Sequence, residues 1–149
     1  MRKTWDEYWF DLVEAAASRG TCPRRQVGAL LVKSNTLLAT GYNGSPSGHP
    51  QCDEVGCEME NNHCVRTIHA EVNVLIRSTP EQQNGATLYV TDYPCQRCAL
   101  LISNTGISKV IFVRNYRNNN KSTDLFIKSG IQVSSADSEL ENLSQREGR

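Results

Sequence analysis

The sequence has no excess of charge of either sign, since its 149 residues include 16 Lys+Arg and 16 Asp+Glu. Proteins that bind polynucleotides or anionic membranes usually carry a net positive charge or a basic stripe. The balance therefore argues against a polynucleotide or membrane partner. It stays compatible with a small anion that two or three local cations hold.

Long apolar runs are also missing. The longest, such as 27–32, are far shorter than the ~20 residues that a membrane helix requires. The opening MRKTWDEYWF has acids and tryptophans where a secretory signal has an apolar core. No repeat or Pro/Gly/Ser-rich linker divides the chain, and its length suits one domain. We expect a cytoplasmic protein, in the host cytoplasm if the source is viral.

Hydrophobic periodicity predicts alternating helices and strands. An amphipathic helix is expected over 4–19, with Thr4 and Glu7 as a capping box. Strands over 26–33 and 36–42 form a hairpin around Ser34-Asn35. The later elements are, in order, a helix over 68–78, a strand over 86–91, a helix over 99–106, a strand over 109–113, a helix over 122–130 and a strand over 131–134.

This order predicts an α/β fold with a five-stranded mixed sheet and helices on both faces. The last three strands should be parallel, because right-handed crossovers join them. We expect a single domain over 1–134. The tail, 135–149, is polar and acidic, so we expect it to be frayed or disordered, with a marginal helix as the alternative.

Six cysteines accompany only three histidines. In a reducing compartment they are better explained as metal ligands, catalytic groups or buried hydrophobes than as a disulfide framework. Two motifs favour metal ligands. His69-Ala70-Glu71 begins a predicted helix, and Pro94-Cys95-Gln96-Arg97-Cys98 occupies the next strand-to-helix turn.

One imidazole and two thiolates suit Zn²⁺, and three protein ligands leave a fourth position for water, as in catalytic sites. Glu71 lies too close to His69 to bind the same ion easily from a regular helix, but it can accept a proton from that water. A lone C-x-x-C is ambiguous between a zinc ribbon, a redox pair and coincidence. Together, the motifs match the signature of zinc deaminases that act on nucleobases.

With these residues in place, the chain resembles the deoxycytidylate (dCMP) deaminase family, which has the three-layer α/β/α cytidine-deaminase-like fold. The likeness runs from about Trp5 to Val133 and includes WDEYW, TCPRRQVGALLV, GATLYVT and GISKVIFV. The GYNGSPSG stretch at 41–48 distinguishes this family from related deaminases, because tRNA adenosine deaminases and free-base cytosine deaminases lack this loop.

The resemblance implies hydrolysis of dCMP to dUMP and ammonia, which supplies thymidylate synthesis. Catalytic zinc would be bound by His69, Cys95 and Cys98, and Glu71 would shuttle protons. Asn43 would contact the nucleotide, unless it is only a turn residue. Tyr116 would close over the nucleotide, unless it merely stacks on the surface. The candidate phosphate ligands are Arg24, Arg25, Arg114 and Arg117.

The resemblance also implies regulation and assembly. Many members of the family are hexamers that dCTP activates and dTTP inhibits, with Mg²⁺ accompanying the nucleotide. The loop that includes Tyr42, Asn43 and Gly44 takes part in that effector site.

Four cysteines remain outside the catalytic motifs: Cys22, Cys52, Cys57 and Cys64. Four thiolates make a full ligand set for a closed structural zinc, which would explain why a long aperiodic loop over 43–64 is tolerated. Some phage members of the family carry a second zinc that includes His or acidic ligands, so His63 is an alternative ligand to Cys57 or Cys64. Buried free thiols are the other interpretation.

Other functions stay open at this point. The substrate could be another cytosine nucleotide such as dCTP, or an adenosine in tRNA, although the neutral charge argues against tRNA. A non-catalytic zinc module is a further alternative. It would require every zinc site to be closed.

Overall fold

A five-stranded mixed sheet forms the centre of the protein, in a computed structural model that describes residues 1–115 and 119–147. The prediction of an α/β fold is confirmed. The elements are α1 (Trp5–Ala17), β1 (Gly28–Lys33), β2 (Thr36–Tyr42), α2 (Cys52–Val55), β3 (Met59–Glu60), β4 (His63–Cys64), α3 (Ala70–Ile76), α4 (Pro80–Gln83), β5 (Thr87–Asp92), α5 (Gln96–Ser103), β6 (Lys109–Arg114), α6 (Asn120–Lys128), β7 (Gln132–Ser135) and α7 (Ala136–Glu147).

The strands of the sheet lie in the order β2-β1-β5-β6-β7. β1 is antiparallel to both of its neighbours, whereas β5, β6 and β7 are parallel, as the crossovers predicted. Ser34 and Asn35 join β1 to β2 with φ of 51° and 54°. Positive φ at both central residues of a two-residue turn matches the twist of the strands.

Helices cover both faces of the sheet, which gives the predicted three layers. On one face Leu30, Tyr89 and Ile111 pack against Trp9 and Val13 of α1, and α7 lies beside α1. On the other face, alternate strand residues such as Leu31, Leu88 and Val110 pack with α3, α5 and α6. Of the helices in the described ranges, none is long and apolar enough to cross a bilayer.

The predicted capping box starts α1. The Thr4 hydroxyl accepts a hydrogen bond from the Glu7 N–H at 3.3 Å, and the Glu7 carboxylate accepts one from the Thr4 N–H at 2.7 Å. This pairing satisfies N–H groups that have no partner within the helix.

The stretch predicted as an aperiodic loop contains short elements. α2 is a single turn, and β3 and β4 form a hairpin of two residues a side. Asn61 and Asn62 make its turn with φ of 48° and 65°. Such elements are too short to produce a hydrophobic period, so the sequence pattern did not reveal them.

The polar C-terminal segment forms a helix over Ala136–Glu147, where the sequence favoured a frayed or disordered tail with a marginal helix as the alternative. α7 follows β7 directly, and its first residue, Ala136, is buried. Glu139 forms an ion pair with Lys109 at 2.6 Å and accepts a hydrogen bond from the Ser134 hydroxyl at 2.6 Å. These tertiary contacts stabilise a helix whose own composition favours it only weakly.

Candidate metal centre and substrate cleft

Two helix starts bring the predicted zinc ligands together. His69 is the N-cap of α3 and Cys95 is the N-cap of α5, both with extended backbone. Pro94 precedes Cys95, and its missing N–H and fixed φ favour a helix that begins just after it. Before His69, Ile68 pairs with Gly44 through two backbone hydrogen bonds of 2.8 and 3.2 Å. The segment that carries His69 is therefore tied to the end of β2.

The three donor atoms have the spacing that zinc requires. His69 Nδ1 lies 3.6 Å from Cys95 Sγ and 3.4 Å from Cys98 Sγ. The three donors all lie within 4.8 Å of one another. Tetrahedral Zn²⁺, with a Zn–N bond of about 2.0 Å and a Zn–S bond of about 2.3 Å, separates N and S ligands by about 3.6 Å. The residues therefore fit the ion, and we call them the open cluster.

The open cluster is accessible from one side only. His69 and Cys95 are exposed, whereas Cys98 is buried. Glu71 is only 4% exposed, and its Oε2 lies 3.5 Å from Cys98 Sγ. The carboxylate is thus adjacent to the donor set without belonging to it. This arrangement suits proton transfer beside a metal with an open coordination position.

The electrostatics of the metal-free open cluster favour an ion pair. The hydrogen bond with Cys98, together with one from His69, lowers the pKa of Cys95 to about 3. The same contact with Cys95 is the main cause that raises the pKa of Cys98, and burial raises it further. The Cys95 hydrogen bond raises the pKa of His69. One thiolate is thus preformed for a cation.

Burial raises the pKa of Glu71 above that of an ordinary glutamate, although the neighbouring His69 acts in the opposite direction. A general acid–base group is most effective when its pKa lies near the working pH. The buried position therefore prepares Glu71 to accept and return protons.

A cleft of about 1100 Å³ opens in front of the open cluster. Its wall includes Glu71 and the predicted nucleotide residues Arg24, Arg25 and Asn43. Lys121, near the start of α6, also lines it. Sequence reasoning missed Lys121, although its place just after β6, at the carboxyl edge of parallel strands, is a usual one for ligand-binding residues.

Asn43 holds one wall of the cleft. Its Oδ1 accepts a hydrogen bond from the Val27 N–H at 2.8 Å, and its Nδ2 donates to the Arg25 carbonyl at 2.7 Å. Asn43 is 8% exposed and lines the cleft. Its hydrogen bonds also fix the backbone that precedes β1.

Of the other predicted nucleotide residues, Arg114 is described, and it pairs with two acids. Arg114 forms an ion pair with Glu14 at 2.6 Å and a longer one with Asp92 at 3.4 Å. Tyr116 and Arg117 lie outside the described residues. Asp92 itself lines the cleft, and no sequence motif singled it out, because its ion pairs join residues far apart in the chain.

The predicted effector loop adjoins the open cluster through its backbone. Gly44 pairs with Ile68, the residue before His69, and the Arg19 guanidinium lies 5.7 Å from the centre of the Tyr42 ring. A Cβ on Gly44 would lie 3.3 Å from the Tyr42 ring and 3.4 Å from Gln51 Oε1. A side chain at this position would therefore require these neighbours to shift by a few tenths of an ångström.

The remaining four cysteines also come together, and we call them the closed cluster: Cys22, Cys52, Cys57 and Cys64. Cys22 Sγ lies 3.9 Å from Cys57 Sγ, and Cys52 Sγ lies 3.6 Å from Cys64 Sγ. Tetrahedral Zn²⁺ separates two sulfur ligands by about 3.8 Å. The sulfurs of Cys52, Cys57 and Cys64 all lie within 4.8 Å of one another, and Cys22 lies outside that group but close to Cys57. Three sulfurs thus have the spacing of a closed site, with Cys22 adjacent as the fourth. His63 is exposed and lines the cleft, as Cys22 and Cys64 also do.

The thiols of the closed cluster differ in acidity. Burial, reinforced by hydrogen bonding with Cys64, raises the pKa of Cys52 to about 12. Burial also acts to raise the pKa of Cys64, but hydrogen bonds from the backbone, that of Arg66 first, outweigh it and lower this pKa to about 7.

Several known proteins are similar to this chain in sequence. The family model described as "Cytidine and deoxycytidylate deaminase zinc-binding region" matches residues 3–114. ComE operon protein 2 of Bacillus subtilis is 38% identical over 134 residues, which cover 89% of this chain and 71% of that protein. Deoxycytidylate deaminase of Saccharomyces cerevisiae is 38% identical over 140 residues, 89% of this chain but only 45% of the yeast protein.

A solved structure extends the likeness to the fold. The dCMP deaminase from the cyanophage S-TIM5, in complex with dCMP and dUMP, matches with a TM-score of 0.77 and 31% identity. The match covers 91% of this chain and 98% of the phage chain.

Proposed function

Because this chain belongs to the cytidine and deoxycytidylate deaminase family, we propose that it hydrolyses dCMP to dUMP and ammonia. The observation that carries the proposal is the open cluster with buried Glu71 beside it, at a cleft that also holds basic side chains. The phage relative that covers nearly the same length was solved with dCMP and dUMP, which supports this substrate. The product dUMP would supply thymidylate synthesis.

His69, Cys95 and Cys98 would hold one Zn²⁺, which when bound supplies an activated water for attack on an amidine-like carbon. Glu71 takes one proton from the attacking water and delivers it to cytosine N3, and then carries the second proton from the new C4 hydroxyl to the departing amino group. The C4–N4 bond breaks, the water oxygen stays on C4, and ammonia leaves. The raised pKa of Glu71 suits it to both directions of transfer.

The phosphate of dCMP would lie among Arg24, Arg25 and Lys121 in the cleft. Cationic donors of this kind bind phosphate through charge-assisted hydrogen bonds. Asn43 supports them by holding the Arg25 carbonyl. Closure of Tyr116 over the nucleotide stays a prediction.

The closed cluster would hold a second, structural Zn²⁺. The spacing of its sulfurs supports this. The ion would join the segment before β1 to α2 and to the β3–β4 hairpin, three pieces with little apolar packing of their own.

Regulation and assembly follow from the family resemblance. Activation by dCTP, inhibition by dTTP, participation of Mg²⁺ and a hexamer are predictions for this chain. The Gly44–Ile68 pairing gives the effector loop a direct contact with the segment that carries His69.

Ammonia release from dCMP, dCTP, cytidine and a tRNA anticodon loop tests the proposal, with dCTP and Mg²⁺ also tried as additions to the dCMP reaction. We expect dCMP to be the preferred substrate. Preference for dCTP or for the tRNA loop would reassign the substrate. Inactivity on all four with both metal sites loaded would favour a non-catalytic zinc module.

A further inference from the structure

A buried carboxylate that the proposed chemistry does not use lies in the wall of the cleft. Asp92 is the last residue of β5, is 7% exposed, and precedes Cys95 by three positions. Its Oδ2 lies 2.8 Å from Arg25 Nε, and its Oδ1 lies 3.4 Å from Arg114 Nε. Arg114 in turn pairs with Glu14 of α1 at 2.6 Å. A row of four charges therefore runs from α1 to the cleft.

A carboxylate in this position has a cost. Removing a charge from water is unfavourable, and a buried ion pair often stabilises a fold less than apolar residues would. Burial raises the pKa of Asp92, while Arg25 and Arg114 act in the opposite direction. The neighbouring residues of β5 are buried and mostly apolar, so packing alone does not require an acid here.

The arrangement fixes one residue in particular. The Arg25 backbone is held through its carbonyl by Asn43 and through its N–H by the Cys22 carbonyl at 3.2 Å. Asp92 Oδ2 then forms an ion pair with Nε at 2.8 Å, without hydrogen-bond alignment, so the side chain is restrained at both ends. Restraint of this kind reduces the entropy that a ligand-binding arginine loses when its ligand arrives.

The charges also leave the cleft attractive to an anion. Asp92 is shared between two guanidinium groups, so one carboxylate faces two positive charges. The second acid of the row, Glu14, lies at the outer end, where its side chain is 45% exposed. Screening by water weakens its effect on the cleft.

We propose that Asp92 is a positioning residue that fixes the Arg25 guanidinium to receive the 5′-phosphate, and so makes the site prefer a nucleotide to a nucleoside. The inference rests on the proposed function. Asp92 acts through Arg25 and takes no part in the chemistry at C4.

The test compares Asp92→Asn with Glu14→Gln, which removes a carboxylate from the other end of the same row. kcat and KM are measured for dCMP, and dissociation constants are measured for dUMP and for phosphate-free deoxyuridine. We expect Asp92→Asn to raise KM for dCMP and the dUMP constant about 10–100-fold, the scale of losing one partner of a close charge pair. kcat and deoxyuridine binding should stay close to wild type, and Glu14→Gln should have little effect on any of them.

The double variant gives a second readout. If Asp92 acts through Arg25, Asp92→Asn adds little to the KM of Arg25→Gln, because residues that act as a unit are not additive. If Asp92→Asn does not fold, Arg25→Lys replaces it, since this variant keeps the charge but loses the Nε contact. Its KM for dCMP should rise about tenfold for the same loss of a charge-assisted contact.

Each contrary result has one meaning. Inactivity of the wild-type protein on dCMP would overturn the proposed function and this inference with it. With an active wild type, equal losses for dUMP and deoxyuridine, full additivity with Arg25→Gln, or an unchanged KM in Arg25→Lys would overturn the inference alone.

Discussion

The two cysteine clusters contain similar ligand types but differ in number of donors and in setting. The open cluster has three donors, two of them exposed, and a buried carboxylate at 3.5 Å from the third. The closed cluster has four sulfurs and lies on a turn, a one-turn helix and a two-residue strand. The comparison shows that an open coordination position with an adjacent acid indicates a catalytic metal site. The number of cysteines is a weaker indicator.

The clusters also differ in what positions them. The open cluster lies at the starts of α3 and α5, which the sheet and its core already fix. The closed cluster joins segments whose large apolar side chains, Val55, Met59 and Val65, are exposed. A metal there contributes to folding, whereas a metal at the open cluster would contribute mainly to the reaction.

The largest effect is expected at Glu71. Glu71→Gln should lower kcat for dCMP by about 10²–10⁴-fold, the usual contribution of a general acid–base group, because the amide cannot accept the proton. Metal content should not change, since Glu71 is not among the donors. Glu58→Gln is the matched control, a carboxylate paired with Arg66 near the closed cluster, and should keep its kcat. Near-normal turnover in Glu71→Gln would refute the role.

Loss of the closed cluster should affect stability next. Cys52→Ser removes a buried ligand, and we expect one zinc fewer per chain and a free energy of unfolding lower by roughly 3 kcal/mol. Elemental analysis and thermal melting measure the two quantities. A wild-type protein with one zinc per chain and full activity would contradict the second site.

Thiol reactivity should separate the clusters in the metal-free protein. The pKa of Cys95 is lowered to about 3, so this exposed residue is already a thiolate and its alkylation rate should be nearly constant between pH 5 and pH 8. The pKa of Cys64 is about 7, so its rate should rise as pH increases through that value. Cys52, which is buried and has a pKa of about 12, should react more slowly than either Cys95 or Cys64. Mass spectrometry after brief iodoacetamide treatment would give the order, and early modification of Cys52 would contradict it.

The smallest effect lies outside both clusters. Lys109 and Ser134 outweigh the effect of burial and lower the pKa of Glu139. A lowered pKa stabilises the fold above the unfolded value of about 4.3, and this contribution is lost as pH falls through the folded value. Glu139→Gln should therefore reduce stability by about 1 kcal/mol at pH 7, with the difference disappearing in acid. Denaturant titrations at pH 7 and pH 3 measure it, and kcat should not change. A difference that grew in acid would contradict the assigned ion pair.

Local signals made much of the fold predictable. The β1–β2 hairpin followed from alternating apolar runs around Ser34-Asn35, and the parallel order of β5, β6 and β7 followed from the crossovers. α7 was less predictable, because its polar sequence depends on contacts of Glu139 with Lys109 and Ser134. Propensity alone does not contain such long-range contacts.

The candidate site also has a part that the sequence predicted and a part that it did not. The sequence motifs predicted the open cluster, since the spacing of His69 and Glu71 and the spacing of Cys95 and Cys98 are each local. The pairing of Asp92 with Arg25 joins positions 67 residues apart (92 minus 25), and no motif marks it. The four cysteines of the closed cluster were suspected only by count, because their irregular spacing gives no geometry until the loop is folded.

The central claim is that the open cluster is catalytic and the closed cluster is structural. Its most direct test is kcat for dCMP in Cys95→Ser and Cys52→Ser, measured side by side below both melting temperatures. The account predicts that Cys95→Ser is inactive while folded and that Cys52→Ser, although less stable, turns over dCMP close to the wild-type rate. Loss of turnover in folded Cys52→Ser as complete as in Cys95→Ser, or activity retained in Cys95→Ser, would contradict it.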